Sequence, residues 1–142
     1  NLDSVTIPLS VLCDASTLFA LSGTDNRPGS STIPDGYGLG LTSNSQKIGN
    51  FTLSIKNPVA DTLVVAALES SDGGTTWREI GNAIWQSMYW AAFGKPGGTQ
   101  PAPIKEVKAD LQVDAEIART SLFPQGEEIQ IDGSATITVK YM

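Results

Sequence analysis

Leu63-Val64-Val65-Ala66-Ala67-Leu68-Glu69, then Ser70-Ser71-Asp72-Gly73-Gly74-Thr75-Thr76-Trp77, then Arg78-Glu79-Ile80 is the stretch on which the fold turns. An apolar run leads into an Asp-Gly-Gly centre, and a second strand-like run headed by Trp77 leads out. Adjacent glycines supply the φ > 0 that a sharp reversal needs, so the middle octapeptide reads as the turn of a tight β-hairpin. The Asp72 carboxylate can accept backbone N–H groups of that turn, the threonine hydroxyls can do the same, and Trp77 can fold back over the apolar strand. Ser70, Asp72, Gly74, Thr76 and Trp77 are therefore assigned as the structural residues of the hairpin. The preceding run, Thr62 to Glu69, is apolar without alternation and is expected to lie buried on both faces at the centre of a sheet.

Outward from the hairpin, period-two alternation recurs and helical periodicity is nearly absent. Val5, Ile7, Leu9 and Val11 alternate with Thr6, Pro8 and Ser10, and Pro8 places this first strand at a sheet edge. Thr17 to Leu21 is a short second run. Residues 22 to 36 collect Gly, Ser, Asp, Asn and Pro and read as a long exposed loop. Tyr37 to Leu41 and Phe51 to Lys56 are further strands, with Phe51, Leu53 and Ile55 on one face, and Asn57-Pro58 reads as a turn. Ile84 to Phe93 is an aromatic-rich strand that runs into the Pro/Gly segment 94 to 103. Ile104 to Arg119 mixes spacings of two and four and is read as a strand. Ile129 and Ile131, the Asp132-Gly133 turn signal, and the alternation of Ala135, Ile137, Val139 and Tyr141 predict a closing hairpin. Eight to ten short strands with two long loops give an all-β fold, a single antiparallel β-sandwich or jelly roll over residues 1–142.

The octapeptide matches the pattern S-x-D-x-G-x-T-W and resembles the Asp-box of sialidases and other β-propellers, which also occurs in unrelated β-sandwich proteins. In those families the box stabilises the fold away from the catalytic centre. A propeller carries the motif several times at blade spacing, whereas this chain of 142 residues has it once and is too short for six blades. The resemblance therefore implies architecture and not sialidase activity. The order of apolar strand, Asp-box hairpin and terminal strand ending Ile-Thr-Val-Lys-Tyr-Met also resembles small β-sandwich proteins of tailed phages, notably head-decoration (cement) proteins.

Composition excludes several functions. The net charge of −6, with nine Lys and Arg residues scattered through the chain, leaves no basic stripe for nucleic acid. No apolar run approaches the ~20 residues of a membrane-spanning helix, and Asn1-Leu2-Asp3-Ser4 has neither a charged leader nor an apolar segment. The absence of histidine excludes Ser-His-Asp and Cys-His catalysis. Asp110, Asp114 and Glu116 lie close enough in sequence for a carboxylate pair, but the plainer reading is a solvated strand face. Zinc would need histidine or several cysteines, and no calcium-loop pattern occurs, so no metal or other cofactor is expected. Cys13 is the single cysteine and reads as a small packed hydrophobe. The Asn50-Phe51-Thr52 sequon reads as chance.

What remains is a non-enzymatic binding or structural role. The phage resemblance implies a virion protein on the capsid exterior, docked on a major capsid protein or on copies of itself. The long loops, the strand-like termini and the aromatics Trp85, Tyr89, Trp90 and Phe93 are the candidate contacts, and for each aromatic a place in the core is at least as good a reading. Two other readings stand beside it. One is a carbohydrate-binding module or extracellular adhesin stacking sugars on Trp85 and Tyr89, with Gln86 and Asn82 as polar partners. The other is a filament subunit whose first and last strands pair with neighbouring copies.

Overall fold

The protein is described by a computed structural model covering residues 4–34, 36–42, 45–81, 83–117 and 135–142. The described residues are all-β: ten strands in two antiparallel sheets that curl into a half-barrel. Strand β1 (Val5–Thr17) pairs with β9 (Ile104–Ile117), β9 with β4 (Gly49–Ala60), and β4 with β3 (Tyr37–Gly38), while β5 (Leu63–Val64) adds to the far end of β4. The second sheet runs β10 (Ala135–Tyr141), β2 (Phe19–Asp25), β8 (Trp90–Gly94), β6 (Ala66–Ser70), β7 (Arg78–Glu79). The chain passes from one sheet to the other at Leu18: Thr17 lies opposite Ile104 in the first sheet and Phe19 opposite Tyr141 in the second.

Alternation explains the core. Phe51, Leu53 and Ile55 of β4 face inward together with Val107, Ala109 and Leu111 of β9, and they meet Phe19, Leu21, Ala91 and Phe93 from the opposing sheet. Tyr37 stacks on Phe51 with ring centroids 5.0 Å apart, and its hydroxyl lies against Gly23, where a Cβ would sit 2.1 Å from the oxygen. Burial and the nearby Asp25 carboxylate push the Tyr37 phenol up to about 12, so it stays protonated in the core. Cys13 is half-buried and packs on this core, as a small hydrophobe would. At Gly49 the backbones of β4 and β9 come so close that an added Cβ would be 2.1 Å from the Glu116 carbonyl oxygen.

Several expectations change. The apolar run Thr62 to Glu69 is not one central strand. Leu63 and Val64 belong to β5 and are 70% and 72% exposed, while Ala67 to Ser70 are buried in the other sheet. Positive φ at Asp61 and Thr62 turns the chain sharply out of β4, and at Val65 it crosses between the layers. Asn57-Pro58 does not end its strand either. It forms a bulge inside β4, with Asn57 at φ 52 and the register to β9 shifting between Lys56 and Val59. Residues 22 to 36 are not a loose loop. β2 extends to Asp25, whose carboxylate accepts the N–H groups of Arg27 and Gly38 at 2.9 and 3.0 Å, and buried Ser30 donates to the Arg27 carbonyl at 2.7 Å and accepts from Gly40 N–H at 3.1 Å. The aromatic strand shrinks to Trp90–Gly94, and Ile104–Ile117 is a strand as expected. The expected strand at 129–131 and its Asp132-Gly133 turn lie outside the described residues.

Candidate functional site

The Asp-box hairpin forms as its residues dictate. Ser70 Oγ donates to the Asp72 carboxylate at 2.7 Å and accepts Gly74 N–H at 2.9 Å. Asp72 also accepts the N–H groups of Thr75 and Thr76 at 3.1 and 2.9 Å and the Thr76 hydroxyl at 2.5 Å. Gly73 and Gly74 take φ of 72° and 95°, and Trp77 Nε1 donates back to the Gly74 carbonyl at 3.1 Å. The rings of Trp77 and Trp90 both lie against Gly74, where a Cβ would meet Trp90 at 3.2 Å.

Led by the Thr76 hydroxyl, these donors pull the Asp72 carboxyl from its ordinary 3.8 down to about 2. A carboxyl whose folded value is depressed stabilises the fold above its unfolded value and loses that contribution as pH falls through the folded one. The Asp72 contribution is thus intact above about pH 4 and fades toward pH 2. Asp114, held below the usual carboxylate range by the Ser4 hydroxyl and by Gln112, acts in the same acid range. Thermal unfolding of the protein and of Asp72→Asn across this range separates the two: the variant is expected to be less stable at neutrality and to show a shallower acid decline. An acid decline as steep as the parent's would mean that Asp72 does not carry it.

The four aromatic contact candidates divide evenly. Trp85 is fully buried, with its N–H donating to Leu53 of the first sheet at 2.8 Å and its indole Nε1 donating to the Tyr89 carbonyl at 2.9 Å. Phe93 is 1% exposed in the core. Tyr89 and Trp90 are half-buried at the hairpin. A flat sugar platform of Trp85 with Tyr89 is therefore corrected, since one of its rings has no exposed face. Asn82 lies outside the described residues. Asn50 of the sequon is buried and donates its amide to Thr32 at 2.9 Å, so it is not presented for glycosylation. Asp110 accepts from the Asn57 amide at 3.2 Å and Asp114 from Gln112 at 2.9 Å, so two of the three candidates Asp110, Asp114 and Glu116 are engaged by neighbouring side chains.

The termini form the more distinctive surface. Among the described residues β1 has β9 as its one partner strand and β10 has β2, so each is the outermost described strand of its sheet. Thirteen residues of β1 give an edge roughly 40 Å long. Along it Val5, Ile7 and Leu12 are 56%, 47% and 70% exposed, and on β10 Val139, Tyr141 and the following Met142 are 37%, 73% and 44% exposed. Pro8 lies in this edge, in register opposite Asp110, as expected of a proline in a sheet. Pro8 marks β1 as an edge strand in the sequence, and the strand-like C-terminus is there a candidate for pairing with a neighbouring copy, whereas the sheet that β10 joins has no local signature.

Two curated proteins of Escherichia coli K12 are similar to this chain. YhcF, described as an uncharacterized protein, is 30% identical over 118 residues, which is 75% of this chain and 49% of YhcF. Protein GltF is 26% identical over 172 aligned residues, covering 94% of this chain and 68% of GltF. The chain thus spans about half the length of YhcF and about two thirds of GltF. No family model matches it, and no solved structure does.

Proposed function

We propose that the domain is a non-enzymatic structural subunit that joins copies of itself, edge to edge, into an extracellular filament. The observation that carries this reading is that, among the described residues, the first and last strands each form an edge of a different sheet, and each bears exposed apolar side chains. A free edge presents a row of unpaired N–H and C=O groups, and soluble proteins usually blunt such edges with charge or cover them. β1 has few charges to blunt it: Asp14 is the one charged residue between Val5 and Thr17. Pairing a strand of one copy with an edge of the next would satisfy those groups and bury the exposed apolar side chains in the same step.

Because the two edges differ in sequence and sit on different sheets, pairing β1 of one copy with β10 of the next is heterologous, and a heterologous contact that does not close generates an open filament. Decoration of a phage head would use the same edges against a capsid protein. The filament is preferred because two complementary edges on one chain suffice for it without a second protein, and both similar proteins are bacterial. Light scattering after size-exclusion chromatography, followed by electron microscopy of the large fraction, tests the proposal. Rods that lengthen with concentration are expected. A monomer at every concentration, or binding confined to phage heads, would overturn it.

A further inference from the structure

Beside the Asp-box hairpin lies a cavity of about 360 Å3, a size at the lower end of small-ligand pockets. Its walls combine two half-buried aromatics, Trp77 and Tyr89, with Arg78, Gln86 and the hydroxyls of Ser71 and Thr76. Glu69, whose side chain is 1% exposed, anchors the wall: it accepts from the Arg78 guanidinium at 2.8 Å and from the Gln86 N–H at 2.9 Å. Glu69 and Arg78 face each other across the β6–β7 ladder, so the pair is fixed by the hairpin itself.

We infer that this cavity binds a single uncharged pyranose ring. Glu69 compensates the charge of Arg78, so the wall does not select an anion, yet the Arg78 side chain is 67% exposed and its guanidinium has five N–H donors, more than the one contact to Glu69 uses. Gln86 makes no side-chain hydrogen bond among the described residues and brings both a donor and an acceptor to the same wall. Aromatic rings beside donors and acceptors suit a molecule with one C–H face and a rim of hydroxyls. An apolar ligand would leave the polar walls unpaired, which is costly in a desolvated site. The site differs from the platform expected from sequence: Tyr89 is shared, but Trp77 replaces the buried Trp85.

The test is saturation-transfer NMR of the full chain with methyl glucoside, galactoside, mannoside and N-acetylglucosaminide, read for the parent and for Gln86→Ala and Tyr89→Ala. Transfer to the ring protons of at least one glycoside is expected, with affinity falling about tenfold in each variant, the scale of one lost contact. Near-UV circular dichroism checks the fold, and Gln86→Ala keeps the test valid if Tyr89→Ala fails to fold. No transfer from any of the four, or transfer unchanged in Gln86→Ala, would overturn the inference. The readout does not depend on whether the chains assemble.

Discussion

Replacing Trp85 with alanine is expected to lower the unfolding free energy by about 3–5 kcal/mol, the range for truncating a large buried aromatic. Three features put it in that range. The side chain is fully buried, so no water can fill its place at low cost. Its backbone N–H reaches across to Leu53 of β4 while its indole donates to Tyr89, which immediately precedes β8 of the opposing sheet, so the residue ties the two layers together. Removing the indole also strips the Tyr89 carbonyl of its donor, which adds to the cavity term. The thermal midpoint should fall by roughly 10–15 °C for a chain of this size. Tyr141→Ala is the control: at 73% exposure it should stay within about 0.5 kcal/mol of the parent. Urea unfolding of both variants checks this, and a loss below about 1 kcal/mol for Trp85→Ala would mean that the indole is not a packed bridge between the sheets.

Trp85 also marks where sequence reasoning stops. The hairpin at residues 70 to 77 is legible residue by residue because every partner of Asp72 lies within four positions of it. Pro8 and the alternation around it mark an edge strand for an equally local reason, and the core face of β4 follows from Phe51, Leu53 and Ile55. The losses occur where burial is decided at long range. Leu63-Val64 and Ala66-Ala67-Leu68 are one apolar run, yet the first pair is exposed and Ala67 and Leu68 are buried, because the sheets they join differ. Trp85 and Tyr89 share spacing on an ideal strand, but the chain there is a turn that drives one ring inward and leaves the other at the surface. The pairing of Lys140 with Ala20 has no local signature at all, so the place of β10 beside β2, at the edge of the sheet among the described residues, emerges only in three dimensions.

That long-range pairing supports the most consequential prediction. If copies join β1 to β10, blunting either edge should abolish growth of the filament while leaving each monomer folded. Val5→Lys with Leu12→Lys on β1, and separately Val139→Lys with Tyr141→Lys on β10, place charge where exposed apolar side chains now stand. Each pair should leave stability within about 1 kcal/mol of the parent, since the changed side chains are exposed. Each variant alone should elute as a monomer, because one of the two surfaces that must meet is spoiled in every copy. Mixed in equal amounts, the variants should form dimers and nothing larger: the intact β10 of the first meets the intact β1 of the second, and the two remaining edges are both blunted. Pairing of like edges gives a different pattern, in which the β1-blunted variant alone forms dimers through β10 and mixing adds no new species. Light scattering on the three samples distinguishes these outcomes. Filaments that persist in both variants would exclude the terminal edges as the joint.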